Sequence, residues 1–185
     1  MTLGVPPTLR TNTDAGTALR RLAWAVVESS EELIMRIKTI CQRNPVTVRR
    51  SEELLKAAQL MREKHIGYLV VVEPDATDGS QRPIGVLTDR DIVITVVARE
   101  TDPRSLRVED IMTREPVTAS TADSVDKALQ DMRRVGVRRL PVVGPRGELV
   151  GIISLDDVIN VLARELQNVA CSIRNEQVIE GTLRL

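Results

Sequence analysis

The feature that most constrains the fold of this 185-residue chain is an internal repeat. Residues 45–72, PVTVRRSEELLKAAQLMREKHIGYLVVV, and residues 116–143, PVTASTADSVDKALQDMRRVGVRRLPVV, align without a gap and are identical at 11 of 28 positions. The match resumes where IGVLTDRDIV (84–93) falls on VGIISLDDVI (150–159), placing Gly85 on Gly151, Thr88 on Ser154 and Asp91 on Asp157. Upstream, IKTICQRN matches VEDIMTRE, and the first copy carries an insert five residues longer within EPDATDGSQRP. A segment this short cannot bury an apolar face alone, so two copies imply two like units sharing one structure.

Each copy reads in the same order. PVTV is a short extended stretch following a proline, which is excluded from a helix interior. Residues 51–65 place Leu54, Ala57, Ala58 and Met61 at helical spacing, with Glu52 and Glu53 at the start, where negative charge suits a helix N-terminus. YLVVV is apolar throughout and β-branched, a strand buried on both faces. A polar turn follows, then the strand IGVL, then a helix over TDRDIVITVVARE. Thr88 stands at that helix's N-cap and Asp91 three residues on, a capping-box relation. The second copy predicts a helix over 122–135, strands RLPVV and LVGII around the turn GPRGE, and a helix from Ser154. The class is α+β, built from tandem β-α-β-β-α repeats. Only Trp24 and Tyr68 are aromatic, so the core is aliphatic, with Met61 and Met132 at packing positions.

Two explanations of TDRD and SLDD stand side by side. Thr88 with Asp91, and Ser154 with Asp157, cap helices; or the same groups hold a ligand. Duplication preserves a cap as readily as a site.

The ordered set of PVTV, IGYLVVV and IGVLTDRDIV, then IMTREPVTA, GVRRLPVV and GIISLDDVI, resembles the cystathionine β-synthase (CBS) domain pair, or Bateman module, of the bacterial stand-alone signal-transduction type. The resemblance covers roughly residues 37–166. It implies two units packed about a pseudo-twofold axis, with two clefts between them that take adenine nucleotides or related adenosyl ligands. It assigns Thr88 and Asp91 to one cleft and Ser154 and Asp157 to the other. In each, the carboxylate takes ribose hydroxyls and the Thr or Ser hydroxyl sits near phosphate. A carboxylate beside a helix N-terminus has the chemistry for that pairing. Arg138 and Arg139 lie at the mouth of the second cleft, and strand alternation turns only one of them toward it. The first copy has Gly67 and Tyr68 at those positions, so the clefts are not equivalent. The expectation is that the cleft of Asp157, Ser154 and an arginine prefers phosphorylated ligands, with adenine resting on Ile66, Gly67 and Tyr68. The cleft of Asp91 seats adenine against Val137, with Arg90 or Arg138 reaching phosphate. AMP or ATP is the expected regulatory ligand. NAD(H) and S-adenosylmethionine stay open because all present an adenosine, and no cofactor is required. Tyr68 stacks on a base or is a strand tyrosine with its hydroxyl satisfied. His65 ends a helix, where a cation is mildly favoured.

The expected organisation is an N-terminal tail and helix (1–36), a first unit (37–98), a linker (99–107), a second unit (108–166) and a C-terminal helix and tail (167–185). Ala18, Leu22, Ala25 and Val26 suggest a short helix within 14–27, and Ser29 with Glu32 starts another. At the other end Ile159, Leu162, Leu166, Val169, Ala170 and Ile173 form an amphipathic run. The resemblance implies a homodimer, and these flanking helices are expected to meet a second subunit.

Composition excludes other classes. Lysine plus arginine equals aspartate plus glutamate at 26 each, removing the general electrostatic case for nucleic acid; the cluster RRVGVRR is local and lacks aromatic stacking platforms. Cys41 and Cys171 form no CxxC motif, which suits a reducing, cytoplasmic compartment. No apolar run approaches membrane-spanning length. A single histidine and no GxxxxGK[ST] loop disfavour an enzyme, leaving a magnesium-dependent nucleotide hydrolase using Asp89, Asp91, Asp156 and Asp157 as the weakest alternative. The leading reading is a non-catalytic regulatory module that senses an adenosyl ligand and signals to a separate protein partner. The rival is a structural dimerisation or scaffold module with no ligand.

Overall fold

A computed structural model of the chain describes residues 35–183. The helices expected within residues 14–27 and at Ser29–Glu32 lie outside the described residues. In chain order the elements are α1 (Ile37–Ile40), β1 (Gln42–Arg43), β2 (Thr47–Arg49), α2 (Leu54–Lys64), β3 (Tyr68–Pro74), β4 (Gln81–Thr88) and α3 (Asp89–Ile92). The second half gives α4 (Val108–Ile111), β5 (Thr113–Arg114), β6 (Ala119–Ser120), α5 (Val125–Val135), β7 (Arg139–Val143), β8 (Leu149–Ser154) and α6 (Leu155–Leu183). The repeated β-α-β-β-α order holds in both halves.

Among the described residues the strands form two four-stranded sheets, β2-β3-β4-β5 and β1-β8-β7-β6. In each, the strand after PVT pairs in parallel with the first hairpin strand, and the hairpin itself is antiparallel with one register shift. The edge strands are exchanged. β1, which leads the first unit, pairs with β8 of the second, and β5, which leads the second, pairs with β4 of the first.

The preceding helices are exchanged as well. Ile37 of α1 is fully buried in the second unit's core with Ala128, Met132, Leu140 and Ile153. Val108 of α4 is fully buried in the first unit's core with Leu54, Met61, Leu69 and Leu87. Backbone bonds repeat the exchange, Ile37 N–H donating to Asp123 C=O (3.0 Å) and Val108 N–H to Glu52 C=O (3.0 Å).

The glycine shared by IGVL and VGII explains how the edges approach. A Cβ on Gly151 would stand 2.5 Å from the Gln42 carbonyl oxygen, and one on Gly85 would stand 2.7 Å from Met112 Sδ and 3.1 Å from the Thr113 carbonyl. Only a residue without a side chain lets a neighbouring backbone this close.

Three local expectations need correction. TDRDIVITVVARE is not one α-helix: α3 ends at Ile92 and Val93–Val97 forms a π-helical turn. Its apolar residues Val93, Ile94 and Val97 remain exposed, so packing does not hold that turn to regular α geometry. The helix predicted from residue 122 starts at Val125, because Ser124 is its N-cap and accepts the Lys127 N–H at 3.2 Å. The helix predicted from Ser51 starts at Leu54 after the extended Glu53. The two units end these middle helices alike, with a left-handed residue at the C-cap. It is His65 (φ 55°) in the first and Gly136 (φ 71°) in the second.

Candidate functional site

Both capping boxes form. In the first unit Asp91 Oδ2 accepts the Thr88 N–H (2.9 Å) and hydroxyl (2.7 Å), while the Asp91 N–H donates back to Thr88 Oγ1 (3.2 Å). In the second, Asp157 Oδ2 accepts the Ser154 N–H (2.8 Å) and hydroxyl (2.5 Å), and the Asp157 N–H donates to Ser154 Oγ (3.2 Å). The cap explanation of both motifs therefore holds, and it leaves each carboxylate's Oδ1 outside the box.

The surroundings of the two differ. A cavity of about 390 Å³ opens between the units at Asp157. Its second-unit wall is Ile152, Ser154, Asp156, Asp157, Asn160 and Arg139. Its first-unit wall is His65, Ile66, Gly67, Tyr68 and Val70, and Gln42, Arg43, Asn44, Pro45 and Val46 form the floor between them. The repeat explains the facing pair. Tyr68 and Arg139 occupy the same position in the two units, opposite Thr88 on β4 and opposite Ser154 on β8 respectively. Burial pushes the Tyr68 phenol far up from its ordinary value, and the Arg139 charge nearby opposes that push. The phenol is a neutral donor throughout the physiological range.

Arg139 and not Arg138 lines the cavity, and Arg138 is exposed. Arg139 is the first residue of β7 and Arg138 the residue before it, and neighbouring residues of an extended segment face opposite ways. Arg139 lies 3.8 Å from Asp156, a loose pairing with 36% of its side chain exposed, so its guanidinium is available to an anion. Thr88, Arg90, Asp91 and Val137 do not line this cavity; Arg90 and Val137 are exposed, and they belong to the other end of the pseudo-twofold repeat. The structure thus gathers six of the eleven expected residues, Ser154, Asp157, Arg139, Ile66, Gly67 and Tyr68, around one cavity.

Sequence reasoning missed the floor. Gln42, Arg43 and Asn44 arrive through the exchanged β1, and Gln42 Nε2 donates to Asp157 Oδ1 at 2.7 Å. Cys41, next in line, has its thiol pushed up chiefly by burial, with Arg43 opposing, so it is not a reactive thiolate. Of the carboxylates of the hydrolase alternative, Asp89 Oδ1 accepts the Arg90 N–H (2.8 Å) and Asp156 lies 3.8 Å from Arg139. Among the described residues no three His, Cys, Asp or Glu side chains converge as a metal site would require. Among the same residues no helix is long and apolar enough to cross a membrane.

Chemically, the cavity offers a carboxylate held at the N-terminus of a 29-residue helix, one half-exposed guanidinium and a wall of Ile66, Gly67 and Tyr68. That set suits a ligand with hydroxyl donors, an anionic group and a flat apolar face.

Comparisons with known proteins bear on this arrangement. The family model described as the CBS domain matches residues 37–98 and 108–164. Protein MK0525 of Methanopyrus kandleri is 34% identical over 122 residues, covering 66% of this chain and 60% of that protein, so the chain spans less than two thirds of this relative. Among solved structures, the CBS domain pair of protein MJ0100, in complex with 5′-methylthioadenosine and S-adenosyl-L-methionine, superimposes with a TM-score of 0.61 over 71% of this chain and 98% of that one. At 24% identity it speaks to the fold alone. The CBS domain protein PAE2072 of Pyrobaculum aerophilum, complexed with AMP, is 28% identical with a TM-score of 0.58, covering 66% of this chain and 89% of that chain.

Proposed function

The chain belongs to the CBS domain family, and from that premise we propose that it is a non-catalytic regulatory module whose Asp157 cleft binds an adenosyl ligand, AMP or ATP foremost. One observation carries the reading: a single cavity brings together Asp157, Ser154 and Arg139 from one unit and Ile66, Gly67 and Tyr68 from the other. In the bound state Asp157 Oδ1 takes the ribose hydroxyls, Arg139 takes phosphate and the adenine lies against Ile66, Gly67 and Tyr68. The AMP complex of the related PAE2072 supports the ligand class. Because both units contribute walls, a ligand favours one relative packing of the units over another, and that differential affinity is the signal. A separate protein partner reads it.

The module acts as a homodimer in this reading. The outer face of α6 exposes Ile159, Leu162, Leu166, Val169 and Ile173, spaced alternately three and four residues apart, which is the seam of a helix that pairs with another. Leu166→Glu on this seam converts the dimer to monomer in light scattering, and an unchanged mass removes the seam from the interface.

The test of ligand binding is a thermal-shift titration of nucleotide-stripped protein with AMP, ADP, ATP, NADH and S-adenosylmethionine, with and without magnesium. A ligand that binds only the folded chain raises the midpoint with concentration. No rise with any of them returns Ser154 and Asp157 to helix caps and the chain to a structural dimeriser.

A further inference from the structure

The two capping boxes are alike, but their free carboxylate oxygens are not. Asp157 Oδ2 is taken up by the Ser154 N–H and hydroxyl, and Oδ1 already accepts the Gln42 side-chain amide at 2.7 Å. At Asp91 the box is the same, yet the repeat position of Gln42 is Thr113, whose shorter side chain lacks an amide. β1 holds Gln42 in place. It pairs Gln42 with Ile152 and Arg43 with Gly151, and the missing side chain of Gly151 admits the Gln42 carbonyl.

We propose that Gln42 sets the ligand affinity of the Asp157 cleft by competing with the ligand's vicinal diol for Asp157 Oδ1. This rests on the adenosyl reading above and goes beyond it by naming what the ligand must displace. Gln42 and Asp157 both line the cavity, and the amide already holds the oxygen that a diol would take. Entry exchanges one hydrogen bond to the carboxylate for another, and the lost bond is subtracted from the gain. The displaced side chain belongs to a two-residue strand contributed by the other unit's leading segment, so ligand entry loosens β1 on β8. The empty state is latched and the bound state is unlatched. Thr113, at the repeat position of Gln42, has no amide to form the same latch on Asp91.

The experiment is calorimetric titration of the full chain with AMP, comparing wild type with Gln42→Ala, Gln42→Asn and, as a control at the repeat position, Thr113→Ala. The Gln42 side chain is exposed at the cavity, so neither substitution opens a core void. The latch predicts AMP binding ~5–10-fold tighter in Gln42→Ala and in Gln42→Asn, the latter being one methylene too short to reach Oδ1, and unchanged in Thr113→Ala. It also predicts faster amide hydrogen exchange at residues 42–43 of the wild type when AMP is added. Equal affinity in wild type and both Gln42 variants overturns the proposal, and weaker binding in the variants makes Gln42 a ligand contact instead. Absence of AMP binding in wild type and variants alike removes AMP as the ligand of this cleft, and the latch as stated with it. That result is distinct from tight wild-type binding that Gln42 does not influence.

Discussion

The two units differ most where they are built to be alike. Each closes a four-residue capping box, each accepts an edge strand from the other, and each buries the other's leading helix residue. Yet Asp157 faces a cavity that carries an arginine, a tyrosine and a glutamine, and Asp91 does not line it. The first unit supplies Tyr68 where the second supplies Arg139, and Thr113 lies where the exchange places Gln42 at the other end. A duplicated scaffold repeats the same capping box, and substitutions at a few matching positions make the surroundings of its two carboxylates unlike.

The exchange offers the strongest way to break this comparison. Ile37→Ala leaves a void in the second unit's core although Ile37 precedes the first unit in sequence, and costs ~2–4 kcal/mol. Hydrogen exchange should report the loss in β7 and β8 before β3 and β4; the reverse order contradicts the exchanged core. Next come the paired glycines. Gly151→Ala sets a methyl against backbone at 2.5 Å and forces β1 away, for ~1–3 kcal/mol by denaturant unfolding. Gly85→Ala meets the flexible Met112 thioether first and should lose clearly less, so equal losses would show that the two edges are packed alike.

Smaller in energy, but specific to the cleft, is Arg139→Ala. It should weaken AMP binding ~10-fold, the loss of one charge-assisted contact, while Arg138→Ala leaves affinity unchanged. Equal effects from both would mean that strand alternation does not decide which arginine meets phosphate.

The smallest effect concerns pH. Asp131 on α5 accepts hydrogen bonds from Lys127 and, at 3.0 Å, from Arg134, and these hold its carboxyl below the ordinary range. A depressed folded-state pKa contributes stability that is present above the unfolded carboxylate value of ~4 and is lost as pH falls through the folded one. The matching residue in the first unit is Leu60, which has no such dependence. Asp131→Asn should therefore flatten the acid limb of the unfolding profile, followed by circular dichroism; an unchanged limb would assign acid sensitivity elsewhere.

Much of this was legible beforehand because it is carried by periodicity and repetition. Buried strands such as YLVVV and helices with Leu54, Ala57 and Met61 on one face announce themselves over many residues. Capping boxes announce themselves by spacing, and alternation along the extended segment RRLPVV already separated Arg138 from Arg139. The exchanged edges did not announce themselves in that way. β1 and β5 are two residues long and exposed, so no hydrophobic pattern marks them. The signal that pointed to them was the upstream match of IKTICQRN to VEDIMTRE, a repeat extending beyond the elements that periodicity could assign. The cavity floor was missed for the same reason, since Gln42 reaches Asp157, 115 residues away in sequence, only through the pairing of β1 with β8. The π-helical turn at Val93–Val97 went unread because its apolar spacing is helical, while Val96 packs against the core and Val93, Ile94 and Val97 stay exposed.

The most direct test of the central claim is the affinity of nucleotide-stripped protein for AMP, measured by calorimetry in Asp157→Asn and Asp91→Asn. An asparagine oxygen can still accept the N–H of its cap partner, so the boxes persist while one charge is removed from each cleft. The account predicts at least ~10-fold weaker binding in Asp157→Asn and little change in Asp91→Asn. Equal affinity in wild type and Asp157→Asn, or loss only in Asp91→Asn, would contradict the assignment of the ligand to the Asp157 cleft.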